Sequence, residues 1–543
     1  MSALLNEGDP AAGKQDRPPI KLDARAALSH AAALVAGVVV GAVLLGGGAD
    51  TQQGCVASPD AQPPAAAAPV LAPQGWLVER LFHTEPILCP WQADGAEPDE
   101  SCQRRIDELT GFRAALSTCV DPLRVNDKTI GHRGAALVAP EETIASWEVA
   151  RQSGASWVEC DASVTRDLQL VCRHGTCDLA TTTDIVANHP ELHTRCTQPF
   201  VPGSGVAATC CTYNFDAAEL AQLCSVMDAA VDTAASTTAS YHRGAPAFRS
   251  SGISEASCHS VVTLAEHLAW LKINTMDAIP ELKDTNTNSI TSFLASQSPP
   301  LDYTFLVDMI AQQVAAAGFT AAWDASSDHR GSRALLQTFD CRVAARWATV
   351  TVPRLSIEYM WTDADLPAAN CTGVPAVDCN SVPHLAALGV EVFSPPINLL
   401  VAANANDHSI VPSVQAVQLQ GLGVAIGSWS AERQGCNDDA APAGTVQPAA
   451  SAPCGAEGSY YCGLTQCIAL AASGRQIAPY AAKNPAAIID GSLEGTSTFQ
   501  HVDVLRVLDT LFRPQAEGGV GLVSLFADFP ATVAAYVNCI APQ

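Results

Sequence analysis

From about Asn126 onward, short apolar runs alternate with longer stretches whose apolar positions recur at helical spacing. The short runs predict strands over 129–132, 157–164, 169–174, 276–283, 334–339, 354–359, 423–429 and 521–526, with 390–393 as a ninth candidate. Residues 142–153 carry Ile144, Trp147 and Val149 on a helical repeat and stop at Gly154, a residue suited to the position just past a helix end. Residues 303–317 continue the theme. Eight strands alternating with helices predict an α/β fold, a parallel (β/α)8 TIM barrel.

The flanks and interruptions do not follow this rhythm. Residues 1–25 mix Lys14, Arg17, Lys21 and Arg25 with acids and read as a cytoplasmic tail. Residues 26–48 are apolar except for Ser29 and His30, and a helix needs about 20 such residues to cross a bilayer. Basic residues lie only before this stretch, so the positive-inside rule sends the rest of the chain across the membrane. The segment is expected to be a transmembrane signal anchor or a cleaved signal peptide. Residues 49–75 read as a Pro/Ala stalk and 76–125 as an extension holding Cys89, Cys102 and Cys119. The barrel domain is expected over 126–543, with disulfide-rich insertions at about 175–262 and 430–498. Insertions that follow strands sit on the C-terminal rim of a barrel, where substrate is selected.

Composition sharpens this picture. All 20 cysteines fall after residue 50, and their spacing excludes paired C-x2-C zinc motifs. That usage fits an oxidising compartment: the cell exterior or the lumen of the secretory pathway. The sequon at Asn370 is a candidate glycosylation site of the same compartment. A formal charge of −26 argues against nucleic acid as a partner and against anionic membrane surfaces. An anionic substrate would therefore require a locally positive site.

Five short segments can supply one. They are His132-Arg133-Gly134 with Pro140-Glu141-Glu142-Thr143, Glu159-Cys160-Asp161, Arg173-His174-Gly175, Pro280-Glu281-Leu282-Lys283, and Phe526-Ala527-Asp528-Phe529-Pro530. Side chains two apart on a strand face the same way, so Glu159 pairs with Asp161 and Glu281 with Lys283. Three carboxylates gathered at strand ends suit one hard cation, Ca²⁺ or Mg²⁺. His132 and His174 offer an acid and a base titrating near neutrality. Arg133 supplies a planar fork for phosphate oxygens and Lys283 a point charge. Each motif alone is commonplace: a strand-end histidine is ordinarily a hydrogen-bonded structural residue, and strand-end acids commonly pair with nearby bases.

In this order, the segments resemble the glycerophosphodiester phosphodiesterase family, in its long periplasmic-type form. His132-Arg133-Gly134 and Pro140–Thr143 are similar to its HRG…PENT start, Glu159–Asp161 with Thr165-Arg166-Asp167 to its ExD…TxD segment, and Leu170–His174 to its LVxxHD strand. Glu281–Lys283 resembles the ExK strand, Gln337-Thr338-Phe339 the SF strand end, Trp429 the tryptophan of the WT strand, and Phe526–Pro530 the TDFP turn. The resemblance implies hydrolysis of glycerophosphodiesters to sn-glycerol 3-phosphate and an alcohol with Ca²⁺ or Mg²⁺. His132 and His174 would be the acid/base pair, and Glu159, Asp161 and Glu281 the metal ligands. Arg133, Lys283, Phe339 and Trp429 would contact substrate.

Two positions depart from the family pattern. Gly175 stands where an aspartate is expected, and Glu142 replaces the asparagine of PENT. Two alternatives follow: a lysophospholipase D-like hydrolase of membrane phosphodiesters, suggested by the anchor, or an inactive surface protein, suggested by the two departures.

Overall fold

The sheet of this computed structural model closes on itself. The structure describes residues 97–227, 231–244, 257–283, 288–322, 330–350, 355–360, 381–403, 409–429 and 503–541, with Ile87, Ile253, Asp407 and Ala431 besides. The expected tail, anchor and stalk, the Asn370 sequon and nearly all of the second insertion lie outside them.

Twelve strands are described: β1 (Asn126–Gly131), β2 (Ala155–Val164), β3 (Leu170–Cys172), β4 (Asp277–Leu282), β5 (Thr320–Ala321), β6 (Arg333–Thr338), β7 (Ser356–Met360), β8 (Val392–Ser394), β9 (Val401–Ala403), β10 (Ile410–Pro412), β11 (Ala425–Ser428) and β12 (Ser524–Ala527). Eight of them, β1, β2, β4, β6, β7, β8, β11 and β12, pair in parallel in that order, and β12 returns to β1 through Leu525 opposite Thr129. The helices that follow these strands are α2 (Ile144–Gln152), α3 (Leu264–Asn274), α4 (Tyr303–Ala316), α5 (Cys341–Val350), α6 (Val382–Leu388), α7 (Val414–Leu422), α8 (Asp503–Phe512) and α9 (Pro530–Cys539), while α1 (Glu100–Thr118) precedes the barrel. This is the (β/α)8 architecture.

The strand membership differs from the sequence reading in one place. The run at 169–174 was expected to be the third barrel strand, but β3 is antiparallel to the end of β2, with Ala162 opposite Cys172. A parallel neighbour needs a crossover of about a dozen residues. Residues 165–169 are too few for one, so the chain turns back as a hairpin with Leu168 at φ 58°. The ninth candidate, at 390–393, supplies β8 and completes the barrel.

Parity along the strands sets the site. A small apolar cluster of Ile130, Trp157, Ile279, Leu335, Val392 and Phe526 fills the barrel interior. Two residues further along the same strands stand His132, Glu159, Glu281, Gln337, Ser394 and Asp528. With a period of two, these share the inward face one layer nearer the C-terminal rim. A far larger core lies between strands and helices, with Val158, Leu336, Ile357 and Phe393 on the outward face.

The first insertion has its own core around Leu179, Ile185, Phe200, Phe215, Leu220 and Tyr241. Three disulfides staple it: Cys177–Cys211, Cys196–Cys210 and Cys224–Cys258. One of its ties to the rim is Arg173, whose buried guanidinium donates to the Ser225 hydroxyl at 2.5 Å. Before the barrel, Asp99 caps α1 by accepting from the Cys102 amide, and Cys119 just beyond that helix is bonded to Cys539 at the end of α9.

Candidate active site

The loop from His132 to Thr143 is wound tightly around one carbonyl. The Arg133 oxygen accepts from the Glu142 amide at 3.1 Å and from the Ser146 hydroxyl at 3.0 Å. Arg133 and Glu142 both take left-handed backbone conformations, φ 54° and 59°, which non-glycine residues adopt only where surroundings enforce them. Gly134, at φ 94°, lies so close to Ser146 that a β-carbon would collide with it. Thr143 then caps α2 by accepting from the Ser146 amide. The sequence pattern HRG…PEET is thus a device for presenting His132 and Arg133 on a fixed loop.

Glu159, Asp161 and Glu281 come together as the sequence predicts. One oxygen of each lies within 4.8 Å of the others, and all three side chains are buried. Neighbouring bases answer the concentrated charge: Arg133 Nε lies 3.0 Å from Asp161 Oδ2, and Lys283 Nζ lies 2.7 Å from Glu281 Oε1 and 3.4 Å from Asp161 Oδ1. Arg133 also donates its backbone N–H to Glu159 Oε2 at 2.9 Å and its Nη1 to Glu141 Oε1 at 3.1 Å. Burial and mutual repulsion raise the proton affinity of the acids. Glu159 is pushed well above the usual carboxylate range by burial and by Asp161 and Glu281. Glu281 is pushed up to about 8 by burial, although Lys283 opposes the shift. Burial works against the Lys283 ammonium, but Asp161 and Glu281 outweigh it and hold its pKa above normal.

The cluster fits a divalent cation. Hard oxygen donors converge from β2 and β4, and both Asp161 side-chain oxygens are buried, facing the Arg133 and Lys283 charges without a well-aligned hydrogen bond. Glu142, Cys160 and Cys172 also bring ligand-type atoms together, but Cys160 and Cys172 are joined in a disulfide, which removes their thiolates as ligands.

Both histidines reach the same place by different routes. His132, at the end of β1, has Nδ1 2.6 Å from Asp528 Oδ1 and Nε2 3.7 Å from Glu159 Oε2. A carboxylate only accepts, so Nδ1 carries the proton and Nε2 is the nitrogen left to react. His174 follows the β3 hairpin rather than a barrel strand. Its pKa falls well below normal through burial and through the charges of Arg133, Lys283 and His132, which places it within electrostatic reach of all three. Phe339 and Trp429 meet edge to face, centroids 5.6 Å apart, and Lys283 Nζ lies 5.6 Å from the Phe339 centroid. All nine site residues expected from the sequence, Asn370 excepted, therefore gather at one end of the barrel.

The two departures acquire physical roles. The Glu142 carboxyl does not face Arg133 as a rival anion; its Oε1 accepts the Asp161 backbone N–H at 2.9 Å. Burial and the Asp161 charge raise its pKa well above normal, which favours the protonated form. At Gly175, the backbone N–H donates to Asp178 Oδ2 at 2.8 Å, and a β-carbon there would meet Asp178 Cβ at 3.3 Å. A carboxylate three residues on therefore stands against the position where the family carries its aspartate.

Three residues escaped the sequence reading. Asp528 lies in the closing turn, where its spacing alone assigns it no role. Gln337 donates its side-chain N–H to Glu281 Oε2 at 2.9 Å. Glu358, on the inward face of β7, accepts from the Ser394 hydroxyl, and burial lifts its pKa to about 7. A β-carbon at Gly427 would collide with that pair, so only glycine leaves room for it.

The fold and site define a (β/α)8-barrel protein with a candidate cation-binding acidic cluster beside anion-binding bases. Residues 132–363 match the model of the glycerophosphoryl diester phosphodiesterase family. A stretch of 45 residues is 49% identical to a probable glycerophosphodiester phosphodiesterase 1 of Mycobacterium tuberculosis, covering 8% of this chain. The matched stretch amounts to only 16% of that relative's length. Among solved structures, a phosphodiesterase of Oleispira antarctica, in complex with the product sn-glycerol-3-phosphate, is 15% identical with a TM-score of 0.37, over 78% of this chain and 99% of its own. A putative glycerophosphoryl diester phosphodiesterase of Silicibacter pomeroyi is 17% identical with a TM-score of 0.34, over 58% of this chain and 86% of its own.

Proposed function

We propose that this chain is a phosphodiesterase, dependent on a divalent cation such as Ca²⁺ or Mg²⁺, that hydrolyses glycerophosphodiesters to sn-glycerol 3-phosphate and an alcohol. The observation that carries the reading is the convergence of Glu159, Asp161 and Glu281 beside Arg133, Lys283 and an imidazole held by Asp528. These three acids would hold the cation. When bound, it supplies Lewis-acid polarisation of the phosphoryl group and eases ionisation of a nearby hydroxyl.

The protein's own groups do the rest. Arg133 and Lys283, which stand beside the acids, would hold the oxygens of the phosphodiester. His132 takes the proton of the attacking hydroxyl at Nε2, while Asp528 stabilises the imidazolium that results. Burial, reinforced by the charges of Arg133, Lys283 and His132, holds the His174 pKa well below normal in the free site. A bound phosphodiester anion offsets those charges and raises its proton affinity, which suits it to protonate the leaving oxygen. Phe339 and Trp429 border the glycerol or the leaving alcohol.

The reading extends to location. Residues 26–48 anchor the protein, or are cleaved, and the barrel faces the cell exterior or secretory lumen, where Asn370 is open to glycosylation. The test is release of glycerol 3-phosphate from glycerophosphocholine by the full chain, with and without added Ca²⁺ or Mg²⁺. Cation-dependent release supports the proposal; turnover of lysophospholipids alone moves the substrate to membrane lipids. No turnover and no bound cation would leave an inactive surface protein.

A further inference from the structure

We infer that Gln337 is a positioning residue for the cation site, holding the Glu281 carboxylate in the orientation in which it joins Glu159 and Asp161 on one ion. The inference rests on reading the acidic cluster as a cation site and adds to it a residue that touches neither cation nor substrate.

Strand register brings the two side chains together. Glu281 on β4 lies opposite Gln337 on β6, both face inward, and both are buried. The Gln337 amide donates from Nε2 to Glu281 Oε2 at 2.9 Å. Its other end, Oε1, is buried without a hydrogen-bond donor. The acceptor end makes no hydrogen bond, so the donor end sets the orientation of the side chain. With Glu281 ionised, as it would be in holding a cation, turning the amide over would set acceptor against acceptor, which favours this orientation.

The supports of the three acids show why this bond matters. Glu159 Oε2 is held by the Arg133 backbone N–H, a donor that cannot leave. Asp161 lies on β2 between two fixed interactions, its own N–H on Glu142 and its carbonyl accepting from the Arg173 amide at 2.7 Å. Glu281 has no backbone donor on its carboxylate among the described residues: Lys283 Nζ lies against Oε1 and the Gln337 amide against Oε2. With Lys283 holding a phosphate oxygen, Gln337 is the donor that remains on Glu281. Such partners of metal-binding side chains typically change metal affinity by about 10–100-fold.

The experiment is calorimetric titration of Mg²⁺ and Mn²⁺ alone onto the full chain and onto Gln337→Met and Gln337→Leu, both close to glutamine in volume and both without a hydrogen-bond donor. The inference expects the dissociation constant to rise by about 10–100-fold in each folded variant, with kcat largely restored at saturating cation. A merely structural role would lower the melting temperature and leave kcat depressed at any cation concentration. A folded variant with the wild-type dissociation constant overturns the inference alone. A wild-type chain that takes up neither ion overturns the cation-site reading and this inference with it.

Discussion

The Nδ1 atom of His132 lies 2.6 Å from Asp528 Oδ1, across a separation of 396 residues. The first barrel strand and the last are neighbours, so the chain closes the barrel and completes the imidazole's hydrogen bonding in one act. Asp528→Asn should keep the fold but favour the wrong tautomer. A fall in kcat of about 10²–10⁴ is expected, with cation affinity little changed. Steady-state kinetics beside a cation titration check this, and an unaltered kcat would remove Asp528 from the reaction.

Cation uptake should expel protons. Without an ion, burial and mutual repulsion raise Glu281 to about 8 and Glu159 well above the usual range. The ion must displace protons that these acids hold at neutral pH, so apparent affinity should climb as pH rises toward and past 8. Titrations in buffers of different ionisation enthalpy count the protons released. Chelation with EDTA should abolish turnover, and added Mg²⁺ or Ca²⁺ should restore it.

Glu358 offers a separate pH signature. Its carboxyl keeps a proton to about 7 in the folded protein, because burial outweighs the stabilising hydrogen bond from Ser394. An unfolded glutamate ionises near 4.5. Between those values the unfolded state binds fewer protons, so stability falls as pH rises through the window and then levels off. The shift corresponds to about 3 kcal/mol. Glu358→Gln should flatten that part of the profile and stabilise the protein at pH 8. Denaturant midpoints measured from pH 4 to 9 would show it; parallel profiles for the two proteins would contradict it.

The Cys160–Cys172 disulfide lies directly behind the site. Cys160 stands between Glu159 and Asp161, and Cys172 two residues before His174, so the bond fastens the β3 hairpin to the strand that carries the acids. Both cysteines are wholly buried, so mild reductants should leave it intact in the native protein. Removing it by Cys160→Ala with Cys172→Ala should cost about 3 kcal/mol of stability, for a loop of this size. A larger proportional loss of kcat than of cation affinity is expected, because His174 moves while the acids stay on β2. Comparing both constants in the double variant decides it.

Much of this was legible in the chain. A strand exposes alternate residues to one face, so the pairs Glu159/Asp161 and Glu281/Lys283 could be aligned from spacing alone. The apolar layer of Ile130, Trp157, Ile279 and Phe526 beneath them follows the same parity. The hairpin at β3 was also available, since five residues cannot cross a barrel layer, but apolar content outweighed connection length in the reading. Other features depend on contacts across distant segments. Glu142 reads as an added charge until the Asp161 amide and its burial are known. Gln337 and Glu358 look like polar interruptions of apolar strands until register sets one against Glu281 and the other against Ser394.

The bond between Cys119 and Cys539 spans 420 positions and makes the barrel a covalently closed ring. A single proteolytic nick anywhere inside that ring, including within the long excursion after β11, leaves both fragments in one molecule. The protein would therefore still migrate as an intact species after such a cut until its disulfides are reduced.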